Sequence, residues 1–385
     1  MPGTKSLPVI DLNLALSEDN KPKVVEDLRR ALTEVGFFYV INPPIENFPQ
    51  LISGVKEQAF KFFHDLPAEE KDKVEMINSK HFLGYTRLGN EVTSNKVDIR
   101  EQIDMATELP APKIASRDEI WKNIEGPNLW PNPELLPDFR PTIENYLEKV
   151  YQFSQWFTEL VREALQLPKG AFSKYFKPRQ QCKMKLIKYP EYKDAENRLD
   201  LLPENEGVPL DETQGCGPHR DSDFLTYLFQ ATAHEALQVQ DIYHSGEWIT
   251  VPPIENSLVV NVGQTLEYLT KGVCHATIHR VITPRNGSGD RLSIPVFQTI
   301  DVNCFKSQLK DIPQELLDLR DERDKEIKGE AIGYQFSVAD DSSEDVRPVG
   351  WTVFQNRLKS HRNVAAKWYP KEYKETMKQI GVFLA

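Results

Sequence analysis

Gly217-Pro218-His219-Arg220-Asp221-Ser222-Asp223-Phe224-Leu225-Thr226-Tyr227-Leu228-Phe229 decides the reading of this chain, because it joins a metal-ligand pattern to an apolar strand. His219 and Asp221 are two residues apart. On a strand such a pair points to one side, so both can reach one ion. His279, 58 residues beyond Asp221, opens His279-Arg280-Val281 and would return on a neighbouring strand. Two imidazoles and a hard carboxylate suit Fe(II) on one face of an octahedron and leave the opposite face to O₂ and an organic co-substrate. His275, four residues before His279, would share its strand face and is the rival ligand.

Around this stretch the chain reads as short strands. Runs 184–189, 224–229, 237–240, 257–262 and 292–297 are apolar or alternating, and Gly246, Gly263, Gly272, Asn286-Gly287 and Gly289 punctuate them at turn positions. Short strands between turn signals indicate an antiparallel barrel or jelly roll. Arg291 and Ser293 fall on one face of the last of these strands. A guanidinium binds a carboxylate bidentately and a hydroxyl adds a contact, so the pair suits an acidic co-substrate. Taken alone, Arg291 reads equally well as a surface residue in a salt bridge.

The N-terminal part reads differently. Residues 8–12 and 37–41 are strand-like, and 21–35, 48–63 and 67–76 carry helical spacing. Residues 81–105 read as a loop with short strands. From 141 to 165, Tyr146, Val150, Phe153, Trp156, Phe157, Leu160 and Ala164 form one apolar helical face. The tail returns to helix at 313–328 and 349–366. The expected fold is therefore α+β with a mainly β core: an N-terminal helical and loop region (1–178), a jelly-roll core (179–305) and a C-terminal helical cover (306–385), acting as one catalytic unit.

The 385 residues carry 58 acids against 47 bases, a formal net charge of -11. That balance disfavours nucleic acid or an anionic membrane as partner. No apolar run is long enough for a signal peptide or a membrane span. Cys182, Cys216, Cys274 and Cys304 are scattered and read as free thiols. A cytoplasmic monomer acting on a small molecule is the expectation.

The motifs together resemble the 2-oxoglutarate and Fe(II)-dependent dioxygenase superfamily, in its isopenicillin N synthase-like branch. The resemblance runs in family order through Leu7-Pro8-Val9-Ile10-Asp11, Gly36-Phe37-Phe38, Gly84-Tyr85, Lys188-Tyr189-Pro190, Gly217 to Asp221, Leu237-Gln238-Val239, Val260-Asn261-Val262-Gly263, His279-Arg280-Val281 and Arg291-Leu292-Ser293. It implies a double-stranded β-helix core and the cofactors Fe(II), 2-oxoglutarate and O₂. It favours His279 over His275, since Arg-Val follows the family's ligand. His219, Asp221 and His279 then look like the iron ligands, and Arg291, Ser293 and Tyr189 like the 2-oxoglutarate contacts. Ile187 stands where plant members often carry an asparagine. The implied reaction oxidises an unactivated C–H bond of a small amino-acid-derived or secondary metabolite and releases succinate and CO₂.

By the same resemblance the substrate would meet Tyr85, Arg87, Glu91, Thr93, Lys185, Phe224, Phe297, Val353, Phe354 and Arg357. Parity puts Lys185 on the face of Ile187 and Tyr189, so it could contact a substrate carboxylate. Gly89-Asn90-Glu91-Val92-Thr93 is similar to the loop of ethylene-forming enzymes. However, Ser222 and Lys185 stand where the bacterial enzyme of that kind has tyrosine and arginine. A 2-oxoglutarate-independent oxidase or cyclase, an ethylene-forming type and a non-catalytic binding protein are the alternatives. His64, His81, His234, His244 and His361 read as surface or structural residues.

Overall fold

The structure is a computed structural model. It describes residues 6–379 except 95, 178–179, 196–198, 200, 202–204, 206, 243–244, 306 and 327–346. Its strands are β1 (Val9–Asp11), β2 (Phe37–Ile41), β3 (Gly84–Thr86), β4 (Val92–Thr93), β5 (Lys96–Val97), β6 (Glu101–Ala106), β7 (Lys183–Tyr189), β8 (Gln214–His219), β9 (Leu225–Gln230), β10 (Leu237–Gln240), β11 (Trp248–Thr250), β12 (Ser257–Val262), β13 (His279–Ile282) and β14 (Arg291–Gln298).

Eight strands form the larger sheet, in the order β1-β2-β12-β9-β14-β7-β6-β3, and four form the smaller, in the order β11-β10-β13-β8. Side chains from both sheets line one cavity. This is the expected jelly roll. The β4–β5 hairpin stands apart as a two-stranded ribbon. Half of the large sheet, β1, β2, β3 and β6, comes from the first 178 residues. The expected boundary at 178/179 lies outside the described residues.

The aromatic helical face is as the spacing predicts. A helix spans Phe139–Ala164 and buries Tyr146, Val150, Phe153, Phe157, Leu160 and Ala164 against the large sheet, with Trp156 at the edge. The helix at Lys21–Arg30 continues through a wider turn to Val35, where Gly36 ends it at φ +70°. A Cβ at Gly36 would lie 1.8 Å from the His275 carbonyl oxygen, so only glycine admits this close approach. That contact fixes the chain leading into β13.

Several expectations are corrected. The β8 strand ends at His219, so Asp221 lies just past the strand and not on it. His275 likewise precedes β13, which begins at His279, and the two do not share a strand face. The helix expected over 349–366 is two helices, Val349–Ser360 and Arg362–Trp368, and the helix expected over 313–328 spans Gln314–Asp324, ending in a turn at Lys325 and Glu326, with 327–328 outside the described residues. Helices at Gln264–Leu269 and Pro370–Gln379 have no counterpart in the sequence reading.

Candidate metal and co-substrate centre

Register brings the distant histidines together. β13 runs antiparallel to β8 with His279 opposite His219, and the chain turning out of β8 carries Asp221 beside them. Asp221 Oδ1 lies 3.6 Å from His219 Nε2 and 3.7 Å from His279 Nε2. Among the described residues this is the one His/Cys/Asp/Glu group able to hold a metal ion, with ligand atoms all within 4.8 Å of one another.

The hydrogen bonds around the three residues settle which atoms face inward. His219 Nδ1 donates to the Gly217 carbonyl at 2.8 Å and His279 Nδ1 to the Thr277 carbonyl at 3.2 Å, because a carbonyl can only accept. Each Nε2 then points at the centre, where its lone pair can take up a proton or a cation. Asp221 Oδ2 accepts from Thr226 Oγ1 at 2.5 Å and Asn261 Nδ2 at 2.8 Å, which turns Oδ1 toward the histidines. Three electron-pair donors facing one another require positive charge between them. The electrostatics agree. Burial pulls the His219 imidazole down, but Cys216 and Asp221 raise it well above its usual pKa. Burial, then the positive charge of His219, lowers His279 to about 4. Burial would raise the Asp221 carboxyl, yet His279 and His219 hold it far below the carboxylate range. A divalent cation fits this donor set and would supply the required charge.

The large sheet provides the opposite wall. Arg291 pairs in register with Tyr189, and Ser293 with Ile187. The Arg291 guanidinium is 1% exposed and sits over the Tyr189 ring, 5.0 Å from its centroid. Its Nη2 reaches Gln230 Oε1 at 3.3 Å, while Nε and Nη1 have no hydrogen-bond partner among the described residues. A buried guanidinium with free donors is costly unless an acceptor meets it. Arg291, Ser293 and Tyr189 all line the cavity of about 650 Å³ that also holds His219, Asp221 and His279. A small carboxylate fits there.

Two family models match the chain: "2OG-Fe(II) oxygenase superfamily" over residues 180–300, and "non-haem dioxygenase in morphine synthesis N-terminal" over 7–133. A 2-oxoglutarate-dependent dioxygenase, frbJ, of Dothideomycetidae sp. (strain 11243) is 42% identical, with 95% of this chain and 93% of that one covered. The chain belongs to the 2OG-Fe(II) oxygenase superfamily. Membership makes it a non-haem dioxygenase that uses Fe(II), 2-oxoglutarate and O₂. A homoarginine-6-hydroxylase of Arabidopsis thaliana is 35% identical, covering 72% of this chain and 80% of the relative. A full-length Neurospora crassa protein solved with alpha-KG and thymine shares the fold at TM-score 0.63, with 22% identity over 81% of this chain and 92% of that one.

The lining of this cavity sorts the expected substrate contacts. Glu91, Thr93, Lys185, Phe297, Val353 and Arg357 line it. Tyr85, Phe224 and Phe354 do not. Tyr85 is buried against Phe62 and donates to Glu101 Oε2 at 2.6 Å. Phe224 is fully buried between Phe172 and Phe176, with ring centroids 5.2 Å away on each side. Phe354 packs on Phe82 and Tyr369 beneath the C-terminal helices. Each ring gains more from the core than a half-wet pocket wall would give, about 1.5–3 kcal/mol for full burial. Arg87 pairs with Asp72 and Glu75 outside the cavity.

Two of the lining residues are already engaged. Glu91 Oε2 meets Arg100 Nη2 at 2.9 Å, and Glu91 Oε1 meets Lys185 Nζ at 3.2 Å. Lys185 faces inward as parity predicts, but its charge is spent on Glu91 and on Asp104 at 3.6 Å. The rival His275 is also engaged: its Nδ1 lies 3.1 Å from Glu267 Oε1, away from the triad. His81 and His361 are buried, and His244 lies outside the described residues.

Four residues had no role in the sequence reading. Thr226 and Asn261 orient Asp221 and pair directly across β9 and β12; Asn261 stood in a quoted motif without a task. Arg100 neutralises Glu91. Lys183 lines the cavity two residues before Lys185, where the same parity that selected Lys185 selects it too.

Proposed function

We propose that His219, Asp221 and His279 hold Fe(II), and that Arg291, with Ser293 and Tyr189, binds the far carboxylate of 2-oxoglutarate. The observation that carries this is the convergence of three lone-pair atoms within 4.8 Å on a cavity that also contains the unpartnered donors of Arg291. When bound, Fe(II) with 2-oxoglutarate supplies oxidative decarboxylation to succinate and CO₂ coupled to oxidation of a substrate C–H bond. The chain's own residues position and exclude. Gly217 and Thr277 carbonyls fix the imidazole tautomers, and Thr226 and Asn261 fix the carboxylate. Ile187, Leu228 and Val281 keep the wall around Arg291 apolar, which strengthens its hold on an anion. The three segments of the chain act as one catalytic unit.

The substrate is a small polar acid, derived from an amino acid or from secondary metabolism. Buried charged residues on the cavity wall and the similarity to a homoarginine-6-hydroxylase support this reading. No helix among the described residues is long and apolar enough to cross a membrane. A monomer in the cytoplasm, without a nucleic-acid partner, fits the acidic surface balance. The test is turnover of candidate amino acids with succinate counted against product. One succinate per oxidised product supports the reading, and product without succinate refutes it.

A further inference from the structure

Four buried cations line the cavity; two are paired with acids, and Arg291 keeps one neutral contact and two free donors. Arg100 and Lys185 pair with Glu91, and Arg291 reaches Gln230. Lys183 is different. It is 8% exposed, and its Nζ has no hydrogen-bond partner among the described residues. Two residues before it, just ahead of β7, stands Gln181, 2% exposed, which also lines the cavity. The Gln181 amide nitrogen donates to the Thr107 and Gly126 carbonyls, while its Oε1 has no partner.

We propose that Lys183 anchors a carboxylate of the oxidised substrate, with Gln181 Oε1 accepting from a neighbouring N–H, so that this end of the cavity reads an α-amino-acid head. The inference rests on the assignment of Arg291 to 2-oxoglutarate. β7 and β14 pair along their length, with Tyr189 opposite Arg291 at one end and Lys183 opposite Phe297 at the other. Six residues of strand separate Tyr189 from Lys183, roughly 20 Å at about 3.3 Å per residue. The two cations thus project from opposite ends of the β7–β14 pair, an arrangement suited to two different molecules.

The charge balance favours an anion at Lys183. A buried ammonium without a partner is expensive. Burial and the Arg357 cation push Lys183 down to about 7, against the longer-range pull of Asp223, Asp104 and Glu125. Of these neighbours, Arg357 and Asp104 are bound to one another at 3.1 Å. None donates to or accepts from Lys183 directly. A substrate carboxylate would supply the missing acceptor and keep the lysine charged. Lys185, expected from the sequence to do this, is held by Glu91 and Asp104.

The experiment uses the full chain with Fe(II) and 2-oxoglutarate under anaerobic conditions. L-arginine, L-homoarginine and their carboxamides are titrated calorimetrically into wild type, Lys183→Met and Lys183→Arg. The free acids are expected to bind wild type at least about tenfold more tightly than the amides, as loss of a charge-assisted hydrogen bond predicts. The preference should vanish in Lys183→Met and survive in Lys183→Arg. Equal binding of acid and amide to wild type, a preference that persists in Lys183→Met, or no binding of either acid overturns the proposal. Titration of 2-oxoglutarate into the same proteins reports on the Arg291 assignment separately. Wild type and both variants should bind it alike, and a Lys183→Met protein that loses it overturns the division of the cavity into two ends.

Discussion

Asn261 Nδ2 donates to Asp221 Oδ2 at 2.8 Å, from a strand position directly opposite Thr226, which donates to the same oxygen. Two neutral donors on one oxygen leave the other oxygen to the metal side. Asn261→Ala and Thr226→Val should therefore each weaken Fe(II) binding about 10–100-fold, the usual effect of removing a group that orients a ligand. Anaerobic metal titration checks this, and unchanged affinity in both variants would show that Asp221 needs no orientation.

Arg291 has the opposite task, holding a ligand instead of a ligand residue. Arg291→Leu should raise the Kd for 2-oxoglutarate by about 30-fold or more, since a truncated buried charge pair costs about 2–5 kcal/mol. Fe(II) affinity should stay as in wild type. Arg291→Lys should recover only part of the loss, because an ammonium lacks the planar fork.

Glu91 joins Arg100 and Lys185 in a buried charge group, so its removal tests packing before it tests catalysis. Glu91→Gln should cost stability, at most about 3–5 kcal/mol, because Asp98 at 3.0 Å and Asp104 at 3.6 Å only partly compensate Arg100 and Lys185. Burial alone would raise the Glu91 carboxyl, but Arg100 and Lys185 hold it well below the ordinary range. Its stabilisation is complete above the unfolded pKa of about 4.3 and is lost as pH falls below it. Urea unfolding from pH 7 to pH 3 should narrow the gap between wild type and Glu91→Gln.

Lys183 gives the reverse sign. Its folded pKa of about 7 lies below the unfolded value near 10.4, so the unfolded state binds more protons between those pH values. Stability from this group rises with pH across that window. Lys183→Met should be more stable than wild type at pH 7, with the difference shrinking toward pH 10. A variant less stable at pH 7 would mean that Lys183 has a structural partner.

These residues show what sequence made legible. β10 and β12 occupy the residues their alternation predicted, and the triad was readable because His-x-Asp before an apolar strand is unusual chemistry at a sheet end. β6 was blurred into a loop because Glu101, Gln102 and Asp104 look solvent-facing; Lys188, Tyr85 and Arg357 meet two of these acids only in the fold. Phe224 and Phe354 were misplaced for a related reason, since an aromatic ring suits a core and a pocket equally. Lys183 and Lys185 are indistinguishable by parity, and only long-range pairing with Glu91 separates them.

The most direct test is anaerobic Fe(II) titration of wild type, His279→Ala and His275→Ala. His279 faces Asp221, whereas His275 is held by Glu267. Wild type and His275→Ala should bind one equivalent, and His279→Ala should lose it. Retained binding in His279→Ala together with loss in folded His275→Ala would contradict the assignment of the iron centre.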